Sequence, residues 1–267
     1  MGVTYVGSNE ALEAVAARVE DVEVVLDIGP GIRPQTFVKQ PYLHICVDAH
    51  RPYLERVKRE AGDDPRYVFI NSTWNQALPM LPDKSVDTVF ALDFIEHLEK
   101  EDGLNLLREA ERVARRQVVI YTPHGFFPQS YDDPEKPDRW GMDGGYWQTH
   151  RSGWLPEDFG EGWEVIIAPD FITVDEEEHV MDEPMGAIWA IRNLGAATAR
   201  RYLVLEDASS WEHLKLALEQ GMPPGLHRGL QSAWRGLLRV TGRTGPAGRG
   251  RRVAREDGDT AVGLRAR

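Results

Sequence analysis

The first residues with a chemical signature are two glycines behind a short apolar run. Gly29 and Gly31 follow the run Val22–Leu26, and Asp48 closes the next apolar run, Leu43–Val47. A glycine turn after a buried strand lets the backbone approach a ligand closely. A carboxylate at the end of the following strand is placed to accept hydrogen bonds from ribose hydroxyls. The spacing predicts a site for a nucleoside-containing cofactor.

The same turn argues against a dinucleotide as the ligand. Dinucleotide-binding turns place a third small residue three positions after the second glycine, where the helix N-terminus meets the pyrophosphate. In this chain that position is Pro34, which follows Arg33. A pair of glycines alone is also compatible with an ordinary strand-to-helix turn, so the rest of the chain must separate these interpretations.

A second acidic position closes another apolar run. Val86–Leu92 is typical of a buried parallel strand, and it ends at Asp93, just before Glu96 and His97.

With this segment included, the chain resembles the class I S-adenosylmethionine-dependent methyltransferases. The resemblance spans about residues 22–125 and rests on DIGPG at 27–31, VDAH at 47–50, NSTW at 71–74 and ALDFIEHL at 91–98. Two later segments, TPHGFF at 122–127 and QTHRSGWLPEDF at 148–159, are similar to a subgroup often associated with surface-glycan or secondary-metabolite pathways.

The resemblance implies a site for S-adenosylmethionine at the carboxyl ends of the strands. Asp48 would accept hydrogen bonds from the ribose hydroxyls, and Asp93 with the backbone of Leu92 would flank the methionine part. The loop at 71–74 would lie beside the adenine, and Ser72 stands where many relatives have an aspartate. The residues expected to bind the cofactor are Asp27, Gly29, Gly31, Asp48, Ala49, Ser72, Thr73, Trp74, Leu92 and Asp93.

Three histidines are candidates for the catalytic chemistry. Methyl transfer is an in-line displacement that leaves a neutral thioether, so the protein must align the acceptor, exclude water and, for a hydroxyl acceptor, remove a proton. A histidine with a pKa near neutrality is the natural base. We expect this base to be His150 or His124, while His97 holds the pocket wall or takes part in catalysis. The alternative is that the histidines only shape the pocket and alignment suffices.

The composition fits one large domain followed by a tail. The chain has 267 residues, of which 28% are charged and 42% hydrophobic, as is ordinary for a globular protein. No apolar stretch approaches the roughly 20 residues of a membrane span, and the N-terminus lacks a signal-peptide pattern, so we expect a cytoplasmic protein with no membrane partner. The single cysteine, Cys46, lies in an apolar run and is expected in the core.

The net charge of −12 is unevenly distributed. Ten arginines and three acidic residues follow position 227, so the rest of the chain carries a net charge of about −19. Grooves that bind nucleic acid are basic, and an acidic body therefore argues against nucleic acid as a partner. It favours a small molecule, a neutral sugar or a cationic acceptor.

Apolar runs and helical periodicity alternate along residues 1–195. This alternation predicts an α/β fold with a doubly wound, mostly parallel sheet, and the resemblance implies seven strands of the Rossmann-like methyltransferase type with an antiparallel last strand. A helix is predicted over Asn9–Glu20, with Ser8 as its N-cap. The predicted strands are Val22–Leu26, Leu43–Val47, Tyr67–Ile70, Val86–Leu92, Gln117–Tyr121, Trp163–Ala168 and Ala187–Arg192, and the other helices of this region are Pro52–Glu60 and Lys100–Ala114.

The remaining segments have different compositions. A helical extension, with a helix at Ala208–Glu219, is expected over residues 196–240, and a flexible tail rich in arginine and glycine over 241–267. Residues 126–162 form a long aromatic insertion, which predicts a lid on the acceptor side; the alternative is a small satellite core. Four of its aspartates match no spacing typical of metal ligands, so no metal is predicted; they are Asp132, Asp133, Asp138 and Asp143.

The leading functional hypothesis is O-methylation of a small-molecule, sugar-bearing or glycan-precursor acceptor. N-methylation of an amine is an alternative, because an acidic pocket suits an amine. A cofactor-binding protein without turnover is a second class of function, and Pro34 disfavours the third, a nicotinamide oxidoreductase. The oligomeric state is left open.

Overall fold

The computed structural model describes residues 2–131, 137–175 and 179–195. Residues 1–198 form one compact unit. The predicted helical extension at 196–240, its helix at Ala208–Glu219 and the tail at 241–267 lie outside the described residues. Within the described part, none of the helices has the length and apolar composition of a membrane span.

Eight strands form one sheet. They are β1 Gly2–Tyr5, β2 Val24–Ile28, β3 Leu43–Asp48, β4 Tyr67–Asn71, β5 Val86–Leu92, β6 Ala114–Pro123, β7 Trp163–Val174 and β8 Val180–Asn193. Their spatial order is β1-β7-β8-β6-β5-β2-β3-β4. Strand β8 pairs antiparallel with both β6 and β7, and the other pairings among the described strands are parallel.

The predicted fold class is confirmed, with one strand more than expected. The extra strand is β1, which pairs in parallel with Glu164–Ile167 at the edge of the sheet. Three of its four residues are exposed. A short edge strand that buries so little has no apolar run, and its sequence therefore gave no signal.

Among the described residues, five α-helices flank the sheet or lie in its loops. They are α1 Ser8–Ala16, α2 Arg51–Ala61, α3 Trp74–Ala77, α4 Lys100–Val113 and α5 Gly145–Gln148. The predicted extent of α1 to Glu20 is wrong, because the backbone N–H of Glu20 donates to the side chain of Gln117 on β6 (2.7 Å). Ser8 as N-cap is also wrong: Gly7 holds that position, and the Ser8 hydroxyl donates to Asp170 (2.7 Å).

The strand order reverses between β2 and β5, which are direct neighbours at the centre of the sheet. All five residues of β2 are buried, and Cys46 of the adjacent β3 is a buried core residue as predicted. In a doubly wound sheet such a reversal opens a crevice outside the carboxyl ends of the strands, which is where ligands bind. The ends of β2, β3 and β5 therefore define the candidate site.

Candidate functional site

A cavity of about 390 Å³ opens at the carboxyl ends of the central strands. Its size is within the range of small-molecule sites. The structure brings most of the predicted site residues together in its lining, namely Gly29, Gly31, Asp48, Ala49, Ser72, Thr73, Trp74, Asp93 and His97.

The glycine turn is held in a conformation that other residues rarely adopt. Gly29 has φ +61° and Gly31 has φ +54°. A Cβ on Gly29 would overlap the ring of Phe94, and one on Gly31 would lie 2.7 Å from Trp140 Cη2. Both positions thus require glycine for backbone shape and for space, which keeps the turn open toward the cavity.

Asp48 ties the end of β3 to this turn. One carboxyl oxygen accepts from the backbone N–H of Gly31 (3.1 Å) and the other from that of His50 (2.7 Å). Burial raises the pKa of Asp48 to about 7, and the two backbone hydrogen bonds offset only part of this effect. The carboxyl group is therefore poised to titrate near neutral pH.

The affinity for S-adenosylhomocysteine is expected to depend on the ionisation of Asp48. Below its pKa of about 7 the carboxyl is protonated and is a poorer acceptor for ribose hydroxyls, so the affinity should rise about tenfold from pH 6 to pH 8. Asp48→Asn should bind more weakly and lose this dependence. Asp102→Asn removes a carboxylate from the same cavity and should retain it. Calorimetric titration at each pH checks the prediction, which a pH-independent wild-type affinity would contradict.

Four predicted residues do not line the cavity. Asp27 is buried behind the turn, where it accepts from the backbone N–H of Gln35 (2.7 Å) and lies 3.2 Å from His44 Nε2. Leu92 is half-buried at the end of β5. His124 is half-buried at the end of β6 and donates its backbone N–H to Gly186 (2.8 Å). His150, the fourth, lies behind His97 rather than in the lining.

His97 and His150 form a pair with ring centroids 4.7 Å apart. Both rings are buried. Burial lowers the pKa of each to about 4, and the neighbouring His97 adds to the effect on His150. Both imidazoles are therefore neutral at physiological pH.

Backbone hydrogen bonds to Glu96 bring the pair together. The N–H groups of Arg151 and Ser152 donate to the carbonyl oxygen of Glu96 at 2.8 and 3.1 Å. His150 itself donates its backbone N–H to the carbonyl of Gln129 (2.9 Å). The Glu96 side chain is buried beside the rings, and its burial together with the charge of Asp93 raises its pKa.

The predicted lid segment contributes one wall of the cavity. Tyr146 and Trp147 line it, while Trp154 of the same insertion is fully buried. The insertion therefore has one part that lines the cavity and another part, around Trp154, that is buried. Whether the segment moves as a lid stays a prediction.

Asp138, an aspartate of the insertion, organises the loop around it. Its carboxylate accepts from the backbone N–H groups of Trp140, Met142 and Gly144, and from the hydroxyl of Tyr53. These four hydrogen bonds show that the Asp138 carboxylate holds the surrounding loop in place. Asp132 and Asp133 lie outside the described residues.

Sequence reasoning missed several residues of the lining. They are Tyr53, Phe94, Leu98, Glu99, Asp102, Gln148 and Arg151, together with flanking residues of the predicted segments. Glu99 and Asp102 lie at the start of α4, directly after the motif with His97, so their position next to a predicted strand end was an available signal. Arg151 is near the predicted His150, yet only the fold shows which of the two reaches the cavity.

The charges of the lining are mostly negative. Asp48, Asp93, Glu99 and Asp102 contribute carboxyl groups, and Arg151 contributes a guanidinium. That guanidinium donates to the backbone carbonyls of His97 and Tyr146, both at 2.7 Å. The cavity therefore favours ligands that carry positive charge.

Comparison with known proteins agrees with this arrangement. Residues 26–122 match the family model described as a methyltransferase domain. No curated protein matches the chain. Among solved structures, an S-adenosylmethionine-dependent methyltransferase from Mesorhizobium loti is 18% identical, with a TM-score of 0.47 over 70% of this chain and 100% of that one. One from Archaeoglobus fulgidus is 21% identical, with a TM-score of 0.42 over 67% and 94%.

The cavity fits the cofactor that the domain implies. The two glycines leave the backbone open where a Cβ would collide, Asp48 offers an acceptor beside them, and the negative lining suits a sulfonium cation. Residues 26–122 thus match a methyltransferase domain, and the lining of the cavity fits S-adenosylmethionine as the cofactor.

Proposed function

We propose that the protein transfers a methyl group to an oxygen of a small-molecule acceptor, with sugar-bearing molecules and glycan precursors as the favoured class. The observation that carries the proposal is that one cavity is lined by residues from two groups of segments. The glycine turn and Asp48 belong to the group that we assign to the cofactor, and His97, Tyr146 and Trp147 belong to the second group. We infer that the acceptor binds beside this second group.

The acceptor side suits alignment and proton removal. When bound, S-adenosylmethionine supplies an electrophilic methyl group whose transfer leaves a neutral thioether. The chain must hold the acceptor hydroxyl in line, exclude water and accept the hydroxyl proton. His97 is neutral and lines the cavity, so its position suits proton acceptance best among the three histidines, while the burial that lowers its pKa to about 4 makes it a weaker base than a free histidine. His150 would support the ring of His97, and His124 would shape the fold near the end of β6.

The aromatic wall supports a sugar or another flat acceptor. Tyr146 and Trp147 pack edge to face, with centroids 5.0 Å apart, and both are exposed. Exposed aromatic faces stack on the apolar faces of sugars and on planar rings. The net charge of about −19 outside the arginine-rich end supports a partner other than nucleic acid.

Calorimetric titration of the purified full-length protein tests the cofactor side first. We expect S-adenosylmethionine and S-adenosylhomocysteine to bind with micromolar dissociation constants, about −8 kcal/mol, and NAD not to bind. Hydroxylated acceptors are then screened for release of S-adenosylhomocysteine. Binding of NAD in preference to the other two would overturn the proposal, and cofactor binding without any acceptor-dependent product would favour a non-catalytic binding protein.

The negative lining favours N-methylation as a second candidate. Four carboxyl groups and one guanidinium surround the cavity, and a protonated amine would be attracted into it. An amino sugar and its hydroxy analogue, offered in parallel and analysed by mass spectrometry, separate the two candidates. Methylation of the amino sugar alone supports the second, and methylation of the hydroxy analogue supports the first.

A further inference from the structure

Glu96, His97 and His150 form a compact cluster next to the cofactor cavity. One potential ligand atom from each residue lies within 4.8 Å of the others. The three residues are only 1%, 6% and 8% exposed. His97 also lines the cavity, so the cluster lies at its wall.

The two imidazoles are oriented by backbone carbonyls. His150 Nδ1 lies 2.7 Å from the carbonyl oxygen of Phe127, and His97 Nδ1 lies 3.4 Å from that of Thr149. A carbonyl oxygen can only accept, so Nδ1 carries the proton in each ring and Nε2 carries a free lone pair. Histidines that bind metal ions are held in this way, with the second ring nitrogen donating to a carbonyl or carboxylate.

The Glu96 carboxyl group is buried beside the side chains of Asp93 and Thr122. Neither of its oxygens makes a well-formed hydrogen bond to a described residue. A buried polar group without a partner costs about 1–3 kcal/mol, and buried carboxylates are usually paired with a cation or bound to a metal ion. The nearby guanidinium of Arg151 donates to backbone carbonyls instead. A cation between Glu96 and the two rings would satisfy this group.

We propose that Glu96, His97 and His150 bind one divalent transition-metal ion at the wall of the cofactor cavity. Two imidazole nitrogens and one carboxylate suit zinc, iron, cobalt or manganese, whereas magnesium and calcium prefer oxygen ligands. Three protein ligands leave at least one coordination position open to the cavity. This proposal departs from the expectation, drawn from the aspartate spacing, that the chain binds no metal.

The ion's role rests on the proposed O-methylation. An ion at this position would lower the pKa of an acceptor hydroxyl that reaches it, and the released proton would pass to water. His97 and His150 would then act as ligands rather than as bases. The binding site itself does not depend on the identity of the acceptor.

Titration of the chelator-treated full-length protein with Co²⁺, followed by visible absorption, tests the site. We expect one equivalent to bind, and Zn²⁺ to displace it in a calorimetric competition. Glu96→Gln and His150→Gln should each weaken Co²⁺ binding by at least about tenfold. His124→Gln and Cys46→Ser are the matched controls, and neither variant should alter Co²⁺ binding. Cys46 belongs to a second cluster, with Asp27 and His44.

Circular dichroism and S-adenosylhomocysteine titration confirm that each variant is folded. If a cluster variant does not fold, the purified wild type is instead analysed for its metal content before and after treatment with a chelator. Removal of one equivalent of metal by the chelator supports the proposal. Three results would each overturn the metal-site proposal. The wild type could fail to bind Co²⁺ stoichiometrically, both cluster variants could bind it as the wild type does, or Cys46→Ser could lose binding. S-adenosylhomocysteine binding to the metal-free wild type would leave the methyltransferase proposal standing in all of these cases.

Discussion

Gly29→Ala is expected to weaken the binding of S-adenosylhomocysteine by at least about 100-fold, which corresponds to about 2.7 kcal/mol. The residue has φ +61°, and a Cβ at this position would overlap the Phe94 ring. Relief of that overlap requires either the turn or Phe94 to move, and both line the cavity. Calorimetric titration with S-adenosylhomocysteine measures the loss.

Gly62→Ala is the matched control for backbone strain. Gly62 has φ +60° at the end of α2, and nothing lies within 4 Å of the Cβ that an alanine would add. The strained backbone should destabilise this variant by about 1–3 kcal/mol, and its affinity for S-adenosylhomocysteine should not change. Equal affinities for Gly29→Ala and wild type would remove the turn from the cofactor site.

Trp154→Ala is expected to lower the free energy of unfolding by about 3–5 kcal/mol. The side chain is fully buried, and its indole N–H donates to the Ser152 hydroxyl (3.0 Å). The Lys100 ammonium lies 3.9 Å from the ring centroid, and the ring packs on Phe159 at 5.5 Å between centroids. Truncation would leave a cavity between α4 and the insertion. Urea denaturation followed by circular dichroism measures the change.

Trp147→Ala is the matched control within the same insertion. Trp147 is 37% exposed and lines the cavity, so its truncation should cost less than about 1 kcal/mol of stability. It should instead raise the KM for the acceptor. If the two tryptophan variants had equal stabilities, the assignment of Trp154 to a satellite core would be wrong.

The part of the cavity lining near the glycine turn could be predicted because its residues follow local patterns. Gly29, Asp48 and Asp93 each come directly after an apolar run that forms a central strand. In a parallel sheet the carboxyl ends of these strands meet at one edge, so positions far apart in the chain converge without further information. The eighth strand could not be predicted in this way, because β1 buries too little to leave an apolar signal.

The acceptor side depends on contacts between distant segments. His97 and His150 are held together in part by the hydrogen bonds that residues 151 and 152 donate to the Glu96 carbonyl, and no periodicity in the sequence predicts that contact. The end of α1 likewise depends on Gln117, which is distant in sequence. Trp147 and Trp154 look alike in the sequence, and tertiary contacts with α4 and Phe159 bury Trp154 but not Trp147.

The hydrogen bonds of residues 151 and 152 to Glu96 link the positions of His97 and His150 to access to the cavity. Two N–H groups share one carbonyl oxygen, so a displacement of this segment breaks both bonds together. The same displacement carries His150 away from His97 and withdraws Arg151 from the lining. A protein that opened on this side to admit or release a molecule would separate the proposed catalytic histidines while it was open, and would bring them together again only on closing.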